Sequence, residues 1–244
     1  MGKLEGKVAL VTGSGRNIGR ATVLKLAAEG AHVVVNARTN QAEAEAVAQE
    51  ARARGVKALA VVADVARKDQ VDAMVARAMA EFGRVDILVN NAAIRPHKPF
   101  TEVTAQDWEA VRGVVLDGAI YCTRAVIESM VKNKYGRIVF FTGEGAFMGG
   151  SGRAAVSAAK MGLGLASEFA AQNIRVNVVS PGSIDTSRAN PEWYQGRTPT
   201  AGGIPLGRQG TVDEIAATCL FLVTDDGGFI TGQTIHVNGG AHYY

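Results

Sequence analysis

A glycine-rich segment near the amino terminus has the composition of a phosphate-binding loop, Thr12-Gly-Ser-Gly-Arg-Asn-Ile-Gly19. It follows a short run of Val, Ala and Leu and leads directly into a helical pattern. Glycines leave room for a pyrophosphate to approach backbone amides, and the amino end of a helix favours an anion. The segment predicts a nucleotide-binding turn whose contact residues are Gly13, Gly15, Arg16, Asn17, Ile18 and Gly19. A glycine turn formed for packing alone is the alternative.

The residues about twenty positions further along indicate which dinucleotide such a turn would bind. An NAD-binding protein has an acidic side chain there, which holds the ribose 2′-hydroxyl. This chain has Asn36-Ala-Arg-Thr39, without a carboxylate. An arginine donates two hydrogen bonds to a phosphate, so Arg38, with Arg16 in the neighbouring loop, favours NADP(H) over NAD(H). The alternative is that both arginines are ordinary solvated surface residues.

Short runs rich in Val, Ile and Leu alternate with helical patterns along the chain. We predict strands at 8–12, 33–35, 58–62, 85–89, 137–141, 175–179 and 235–237. We predict helices at 18–29, 41–54, 68–82, about 105–132 and 161–171, and a last one that Thr211 and Glu214 cap and that ends at Leu222. Continuous apolar strands are typical of a parallel sheet covered on both faces. The expected fold is α/β, a doubly wound parallel sheet (Rossmann fold), with residues 1–244 as a single domain.

One stretch, at about 185–208, breaks this alternation. Pro, Gly and Ser are interleaved there with Trp193 and Tyr194, and no period is visible. A long irregular loop inside a compact domain is usually functional. We therefore predict a substrate lid over about 185–208, on which Tyr194 could close over a small-molecule substrate. Simple packing is the alternative for both aromatic rings.

Composition and charge argue against several classes of protein. The 244 residues carry 26 Lys and Arg against 23 Asp and Glu, and a net charge of +3 is too small to indicate a nucleic-acid partner. The two cysteines, Cys122 and Cys219, have neither disulfide-framework nor zinc-ligand spacing. No apolar run reaches the roughly 18 residues of a membrane span, and the first residues are too charged for a secretory signal. We expect a cytoplasmic protein without a membrane, nucleic-acid or metal partner.

Further motifs make the sequence resemble the short-chain dehydrogenase/reductase family over almost its whole length. The glycine segment fits the family pattern T-G-x-x-x-G-x-G except at Asn17, where a glycine is usual. Three more family segments are matched by Asp64-Val65, Asn90-Asn-Ala-Ala93 and Ser180-Pro-Gly-Ser-Ile-Asp-Thr186, and one near the end by Val237-Asn-Gly-Gly240. The resemblance is greatest to the β-ketoacyl carrier-protein reductase-like group.

The resemblance implies further cofactor contacts. In the family, the Asp-Val pair touches the adenine, the Pro-Gly segment with its Thr holds the nicotinamide carboxamide, and a lysine holds the nicotinamide ribose. The matching residues of this chain are Asp64, Val65, Asn90, Ala92, Lys160, Pro181, Gly182, Ile184 and Thr186. The resemblance also implies a homo-oligomer, a tetramer or a dimer, formed through helices at about 105–132 and 152–171.

The same resemblance reveals a departure in the catalytic set. Family members reduce carbonyls or oxidise alcohols with Ser, Tyr and Lys, commonly joined by Asn. Here Lys160 matches the lysine, but the tyrosine position holds Val156, the serine position Gly143 and the asparagine position Val115. Valine has no proton to give and glycine has no hydroxyl. General acid catalysis and oxyanion stabilisation are each worth about 10² to 10⁴ in rate, so we expect slow reduction of ordinary ketones.

Other side chains could replace the missing groups. Glu144 directly follows the missing serine at the carboxyl end of a predicted strand, and a partly desolvated carboxyl there can act as acid or base. A solvent-facing carboxylate, or a partner for Lys160 or Arg153, is the alternative. His97 is expected at the same edge, although such a residue is more often an exposed loop histidine. The candidate catalytic residues are therefore Lys160, Glu144, His97 and Tyr194.

Three functions are compatible with this pattern. The first is an NADP(H)-dependent oxidoreductase with a non-standard active site, which transfers hydride to or from a small carbonyl, quinone or imine-type substrate. The second is a non-redox enzyme on the same scaffold, such as a lyase, isomerase or dehalogenase. The third is a catalytically silent nucleotide-binding subunit. The complete set of cofactor motifs favours the first, since it indicates that a dinucleotide still binds.

Overall fold

Parallel strands form the centre of the molecule, which a computed structural model describes over residues 2–148, 164–186 and 203–243. The strands are β1 (Val8–Val11), β2 (His32–Ala37), β3 (Ala58–Val62), β4 (Ile87–Asn90), β5 (Gly136–Phe141), β6 (Ile174–Pro181) and β7 (Thr234–Val237). Within the described ranges these seven strands form one sheet in the order β3-β2-β1-β4-β5-β6-β7, and every pairing is parallel. The predicted doubly wound α/β sheet is confirmed.

Helices connect the strands. They are α1 (Asn17–Ala28), α2 (Gln41–Arg52), α3 (Lys68–Phe82), α4 (Ala105–Arg112), α5 (Gly118–Lys132), α6 (Gly145–Met148), α7 (Gly164–Phe169) and α8 (Val212–Val223). Both α4 and α8 begin with a capping box, in which Thr104 pairs with Asp107 and Thr211 with Glu214. The predicted cap at Thr211 is therefore present. Among the described helices, none is long and apolar enough to cross a membrane.

Side chains of successive strand residues enter different cores because they point to opposite faces of the sheet. On one face Val11 belongs to a core with Leu26 of α1 and Cys219 of α8. On the other face Leu10 belongs to a second core with Cys122 of α5. All five side chains are fully buried. Burial on both faces is the reason that the strand sequences are continuously apolar instead of alternating with polar residues.

The long helix predicted at about 105–132 is interrupted, which corrects the sequence interpretation. After α4 a π-helical turn spans Gly113–Asp117, and α5 begins at Gly118. Gly118 packs closely on the loop after β3, since a Cβ there would lie 2.9 Å from Val65 Cγ2 and 3.0 Å from the Val65 carbonyl oxygen. A π turn inside a helix is rare and frequently marks a functional site.

Parts of the predicted lid and of the helix predicted at 161–171 lie outside the described residues. The described part of that helix is α7, which a 3-10 turn, Ala170–Gln172, continues. The lid residues 187–202, with Trp193 and Tyr194, are not described. The segments before and after these residues are in contact. Ile184 forms a parallel bridge with Gly210, and the Asp185 amide donates to the Gly210 carbonyl oxygen at 2.8 Å.

Candidate active site

The crevice that doubly wound sheets offer to ligands lies here between β1 and β4. The chain passes from β1 to β2 on one side, whereas β4 pairs with β1 on the other side. The strand order reverses at this point, so the carboxyl ends of β1 and β4 flank an opening. The glycine segment follows β1 at this edge, and the segment 90–93 includes the end of β4.

The glycine segment folds in a way that side chains would prevent. Gly13 has a left-handed φ of +61°, and a Cβ on it would lie 3.0 Å from the Ala92 Cα. A Cβ on Gly19 would lie 2.5 Å from the Gly13 carbonyl oxygen and 2.7 Å from the Ser14 Cα. Both obstacles are backbone atoms that cannot move aside. These glycines therefore allow the loop to turn tightly onto the start of α1, as a pyrophosphate site requires.

Asn17, the departure from the family pattern in this loop, has a left-handed φ of +50°. Asparagine tolerates this conformation better than other residues with a side chain, which is why it can stand where glycine is usual. It begins α1, next to Arg16 and Ile18. Arg16 is exposed, and Ile18 packs partly buried against the core on the α1 face. The loop geometry thus survives the substitution.

Two asparagines that sequence reasoning missed as site residues hold this loop. The Asn91 amide donates to the carbonyl oxygens of Thr12 at 2.8 Å and Gly13 at 2.9 Å. The Gly13 amide donates to Asn36 Oδ1 at 3.0 Å, and Asn36 Nδ2 donates to the Ala63 carbonyl oxygen at 3.0 Å. The feature of the sequence that could have identified them is a polar residue inside, or directly after, an apolar strand.

The end of β2 carries a cation and no carboxylate. Asn36 is buried and its side chain is used entirely within the protein, whereas Arg38 follows the strand and is exposed. The nearest acidic group shown at the loop is Glu43, whose carboxylate occupies the space that a Cβ on Gly15 would enter. Arg16 and Arg38 make no ion pair with any residue that the structure describes. Their guanidinium groups are therefore available to an anion.

The residues after β3 and β4 complete the crevice. Asp64 Oδ1 accepts from the Ala66 amide at 3.0 Å, which shapes the turn that buries Val65. Asn90 is 8% exposed and its Nδ2 donates to Thr123 Oγ1 at 3.3 Å, but its buried Oδ1 has no hydrogen-bond partner among the described residues. A buried acceptor without a partner is costly, so this atom marks a place where a bound group would fit.

The glycine loop, the exposed arginines and the Asn90 oxygen that has no partner among the described residues together fit a bound dinucleotide. The Ala92 amide donates to Thr12 Oγ1 at 3.0 Å, which ties the end of β4 to the loop. At the other end of the edge, the Gly182 amide donates to the Val237 carbonyl oxygen at 3.0 Å. The remaining predicted contacts, which extend the same edge, are Pro181, Ile184 and Thr186.

The end of β5 brings one of the predicted proton-transfer residues, Glu144, to this edge. Gly143 follows the strand, and a Cβ on it would meet no described atom within 4 Å. The amide of the next residue, Glu144, donates to the Pro181 carbonyl oxygen at 3.2 Å, so the ends of β5 and β6 are joined here. Glu144 thus lies where the sequence predicted it, at the carboxyl edge of the sheet.

Glu144 has a neighbour with which the sequence did not pair it, His242 from the carboxyl-terminal segment. Glu144 Oε1 lies 2.9 Å from His242 Nε2, and the side chains are only 20% and 27% exposed. Glu144 Oε1 is buried and the contact does not meet hydrogen-bond geometry, so the two groups lie close together without a linear hydrogen bond. No pattern or spacing in the sequence connects residues so far apart.

Other predicted catalytic residues are not brought to Glu144 by the described structure. Lys160 and Tyr194, like Val156, lie outside the described residues. His97 lies in the irregular chain between β4 and the 3-10 turn Phe100–Glu102, and its buried Nδ1 has no hydrogen-bond partner among the described residues. No hydrogen bond or ion pair joins His97 to Glu144 within this part of the chain.

A salt bridge ties the segment after β4 to α4. Lys98 Nζ donates to Asp107 Oδ2 at 2.6 Å, and the Thr104 amide donates to the same oxygen. The Lys98 ammonium, followed by the hydrogen bonds from Thr104, holds the pKa of Asp107 well below its usual range. The loop that carries His97 is therefore anchored by its neighbour.

The position expected for the asparagine is apolar in the structure. Val115 lies in the π turn and packs with Ile94 and Leu116 against the buried Val111. The Val115 side chain therefore contributes only hydrocarbon at this position, and it has no group that could relay a proton.

Comparison with known proteins shows what the chain is similar to. A family model described as enoyl-(acyl carrier protein) reductase matches residues 13–242. A 3-oxoacyl-[acyl-carrier-protein] reductase from Synechocystis sp. is 42% identical over 246 residues, 98% of each chain. The (2S)-[(R)-hydroxy(phenyl)methyl]succinyl-CoA dehydrogenase subunit BbsD from Thauera aromatica is 39% identical over 242 residues, 97% of each chain.

A crystal structure of NAD⁺-bound xylitol dehydrogenase has the same fold. It aligns with a TM-score of 0.89 at 31% identity and covers 98% of this chain and 100% of its own. Matches of this extent include the glycine loop, the whole parallel sheet and the carboxyl-terminal strand. Because they combine sequence identity with a shared fold over nearly the full length, the protein belongs to the short-chain dehydrogenase/reductase family of oxidoreductases.

Proposed function

We propose that the protein is an NADP(H)-dependent oxidoreductase that transfers hydride to or from a small carbonyl, quinone or imine-type substrate. The charge pattern after β2 carries the proposal. The end of β2 contains Asn36 and no carboxylate. The Asn36 side chain already makes hydrogen bonds within the protein. Arg38 is exposed two residues later. A 2′-phosphate would find a planar guanidinium here and no competing acid at the strand end.

The other predicted cofactor residues have consistent roles in this proposal. Because Gly13, Gly15 and Gly19 have no side chains, the pyrophosphate could approach the backbone amides at the start of α1. Arg16 would add a second cation beside the 2′-phosphate. The adenine would contact Asp64 and Val65, and the nicotinamide half would extend toward the residues Asn90, Ala92, Lys160, Pro181, Gly182, Ile184 and Thr186. When bound, the nicotinamide ring supplies or accepts the hydride.

The names of two relatives and of one solved neighbour support an acyl thioester or a polyol as the substrate class. One relative acts on 3-oxoacyl groups carried by a protein, another on a succinyl-CoA derivative, and the solved neighbour is a xylitol dehydrogenase. Quinones and imines are the substrates that we expect to be least affected by a missing acid, because they accept hydride more easily than ketones do. Lys160 and Glu144 are the groups that we propose for proton transfer, with His97 and Tyr194 as further candidates.

Titration of the purified protein with NADPH and NADH tests the cofactor assignment. We expect NADPH to bind more tightly, and Arg38→Ala to weaken NADPH by about 10-fold or more because a charge-assisted pair is lost. NADH binding should change little. Arg54→Ala, an exposed arginine past the far end of α2, is the matched control. Preference for NADH, or binding of neither dinucleotide, would contradict the proposal.

The residues at the serine and tyrosine positions favour a second candidate, a nucleotide-binding subunit without catalysis. Gly143 and Val156 cannot donate a proton. Acetoacetyl-CoA, 9,10-phenanthrenequinone and a cyclic imine, each incubated with the protein and NADPH, separate the two functions. Oxidation of NADPH with any of them supports the oxidoreductase. Tight NADPH binding without oxidation by any probe supports the silent subunit.

A homo-oligomer, a tetramer or a dimer, completes the proposal. Large apolar side chains are exposed on α5, where Ile120 is 54% and Val131 37% exposed. Such side chains on one helix are typical of a surface that another subunit covers. Light scattering should give a mass of two or four chains, and Ile120→Glu should lower it. A monomer at micromolar concentration would contradict this part.

A further inference from the structure

The contact between Glu144 and His242 joins two distant parts of the chain at the carboxyl edge of the sheet. Glu144 belongs to the segment that follows β5, and His242 to the segment that follows β7. Their side chains are 20% and 27% exposed, and Glu144 Oε1 is buried 2.9 Å from His242 Nε2. A carboxylate beside an imidazole stabilises the protonated ring and orients it.

The backbone of the carboxyl-terminal turn holds this histidine in place. Asn238 Nδ2 donates to the His242 carbonyl oxygen at 3.1 Å. The Gly240 amide donates to Asn238 Oδ1 at 3.1 Å, and the Ala241 amide donates to the Asn238 carbonyl oxygen at 3.2 Å. Asn238 itself packs on Gly182, where a Cβ would lie 2.8 Å from the Asn238 Cα. These hydrogen bonds and this packing fix the turn, which brings His242 back to the edge of the sheet.

On the side where the family serine would stand, no described atom fills the space next to Gly143. A Cβ on Gly143 has no described atom within 4 Å. His242 Nδ1 makes no hydrogen bond to any residue that the structure describes, so this nitrogen is available to another group. The pair therefore combines a carboxylate with an imidazole, a side chain that can both donate and accept a proton, next to a glycine whose surroundings are clear of described atoms.

We propose that His242 exchanges the proton with the substrate, and that Glu144 is a positioning residue that holds the imidazole and its charge. The inference rests on the proposed oxidoreductase function. In the reducing direction the carbonyl carbon gains a hydride from the bound dinucleotide and the C=O double bond opens. The oxygen takes the Nδ1 proton of the imidazolium, and the neutral ring regains a proton from water. In oxidation, the ring accepts the hydroxyl proton as the carbon gives up its hydride.

Kinetics of matched variants test this assignment. The probes are NADPH with acetoacetyl-CoA, a ketone, and with 9,10-phenanthrenequinone. We expect His242→Gln to lower kcat for the ketone by about 10²-fold, the usual size of an acid–base contribution, and to affect the quinone less. His32→Gln, at the opposite end of its strand, and Tyr243→Phe, an exposed neighbour in the tail, are the controls and should leave both rates unchanged.

Glu144 should act through the histidine. Glu144→Gln is expected to lower ketone reduction by a similar factor, Glu144→Asp to restore part of it, and the Glu144→Gln/His242→Gln double variant to be no slower than His242→Gln. Free imidazole in the buffer should raise the ketone rate of His242→Ala several-fold. If the contact only held the carboxyl-terminal segment in place, imidazole would not rescue the rate, and the ketone and quinone rates would fall by the same factor.

A spectroscopic readout is independent of turnover. In protein labelled with ¹⁵N-histidine, the ring signals of His242 are those that disappear in His242→Gln. We expect them to shift when NADP⁺ saturates the protein, whereas the His32 signals stay in place. His242 signals that ignore NADP⁺ would overturn the inference, because the ring would then lie away from the reacting centre.

The outcomes separate the two proposals. If the native protein reduces either probe and His242→Gln does so at the native rate, the histidine assignment is wrong and the oxidoreductase function stands. If the native protein binds NADPH and reduces no probe, the oxidoreductase proposal fails and the histidine assignment fails with it.

Discussion

Gly143 is the residue at which we expect an added hydroxyl group to have the largest effect on the rate of reduction. A Cβ added there would meet no described atom within 4 Å. We expect Gly143→Ser combined with Val156→Tyr to raise the rate of acetoacetyl-CoA reduction by about 10²-fold or more, because the two changes supply a hydrogen-bond donor and an acid. Steady-state oxidation of NADPH measures this.

Gly143→Ala with Val156→Phe is the matched control, since it adds the same carbon framework without the hydroxyls. The control should not gain activity. If the hydroxyl-bearing pair gains nothing while NADPH affinity is retained, the alignment of these two positions with the family serine and tyrosine is contradicted.

The glycines of the loop predict its structure more strongly than the asparagines do. A glycine between strand and helix already restricts the possible structure, because few other residues adopt its conformation. An amide such as Asn36 or Asn91 is equally suited to solvent and to a backbone carbonyl. The role of each was decided by the loop that folds against it.

At the scale of elements, the buried carboxylate of Asp86 joins the starts of β1 and β4 and pairs with Arg84, whose side chain is 34% exposed. Asp86 has a fully buried side chain, accepts from the Val8 amide at 3.0 Å and receives Arg84 Nε at 2.8 and 2.9 Å. We expect Arg84→Met to lower the free energy of unfolding by about 3 kcal/mol, because it leaves a buried carboxylate without its cation. Urea unfolding measures this.

Arg67→Met is the control for that experiment. Arg67 and Asp69 also form an ion pair, but both side chains are more than half exposed, so the loss should not be measurable. Equal unfolding midpoints for Arg84→Met and the native protein would contradict a stabilising role for the contact between Arg84 and the buried Asp86.

The start of α8 is held by a charge contact that depends on pH. Arg208 donates to both Glu214 oxygens, and the Thr211 amide donates to Oε2. The Arg208 hydrogen bond, followed by that from Thr211, lowers the pKa of Glu214 from 4.5 to about 2. Because the folded pKa lies below the unfolded one, the stabilisation is complete above pH 4.5 and is lost as the pH falls towards 2.

Carboxyl ¹³C NMR titration should therefore find Glu214 ionised at pH 3.5. We expect Arg208→Met to move the Glu214 midpoint towards 4.5 and Arg54→Met to leave it in place. A native midpoint near 4.5 would contradict the contact between Arg208 and Glu214.

At the scale of the whole molecule, the two thiols report on the two cores. Burial raises the pKa of Cys122 and of Cys219 to about 12. We expect neither thiol to react with Ellman's reagent at pH 8 in the native protein, because the thiolate is the reactive form. Both should react at the same urea concentration if the layers on the two faces of the sheet unfold together.

Cys122→Ser and Cys219→Ser assign the two signals in that measurement. A thiol that reacts in native buffer would contradict its burial. Reaction of one thiol well before the other would instead show that one helical layer separates from the sheet first.

The amino-acid sequence by itself determined the parallel sheet, the order of its elements and the glycine loop. These features depend on local pattern: continuous apolar strands, capped helices such as the one at Thr211, and glycines at tight turns. The family and its fold followed from the same motifs. The helix predicted at 105–132 was wrong in its middle, since a π turn depends on how Gly118 packs on Val65.

Only the tertiary structure decided which polar groups meet. Glu144 was predicted at the sheet edge, but His242 was not, because their contact depends on a tail turned back by Asn238 and packed against Gly182. Such a contact has no period or spacing in the sequence. It forms where strands that are distant in the chain end side by side, so its chemistry is determined by packing and not by local residue preference.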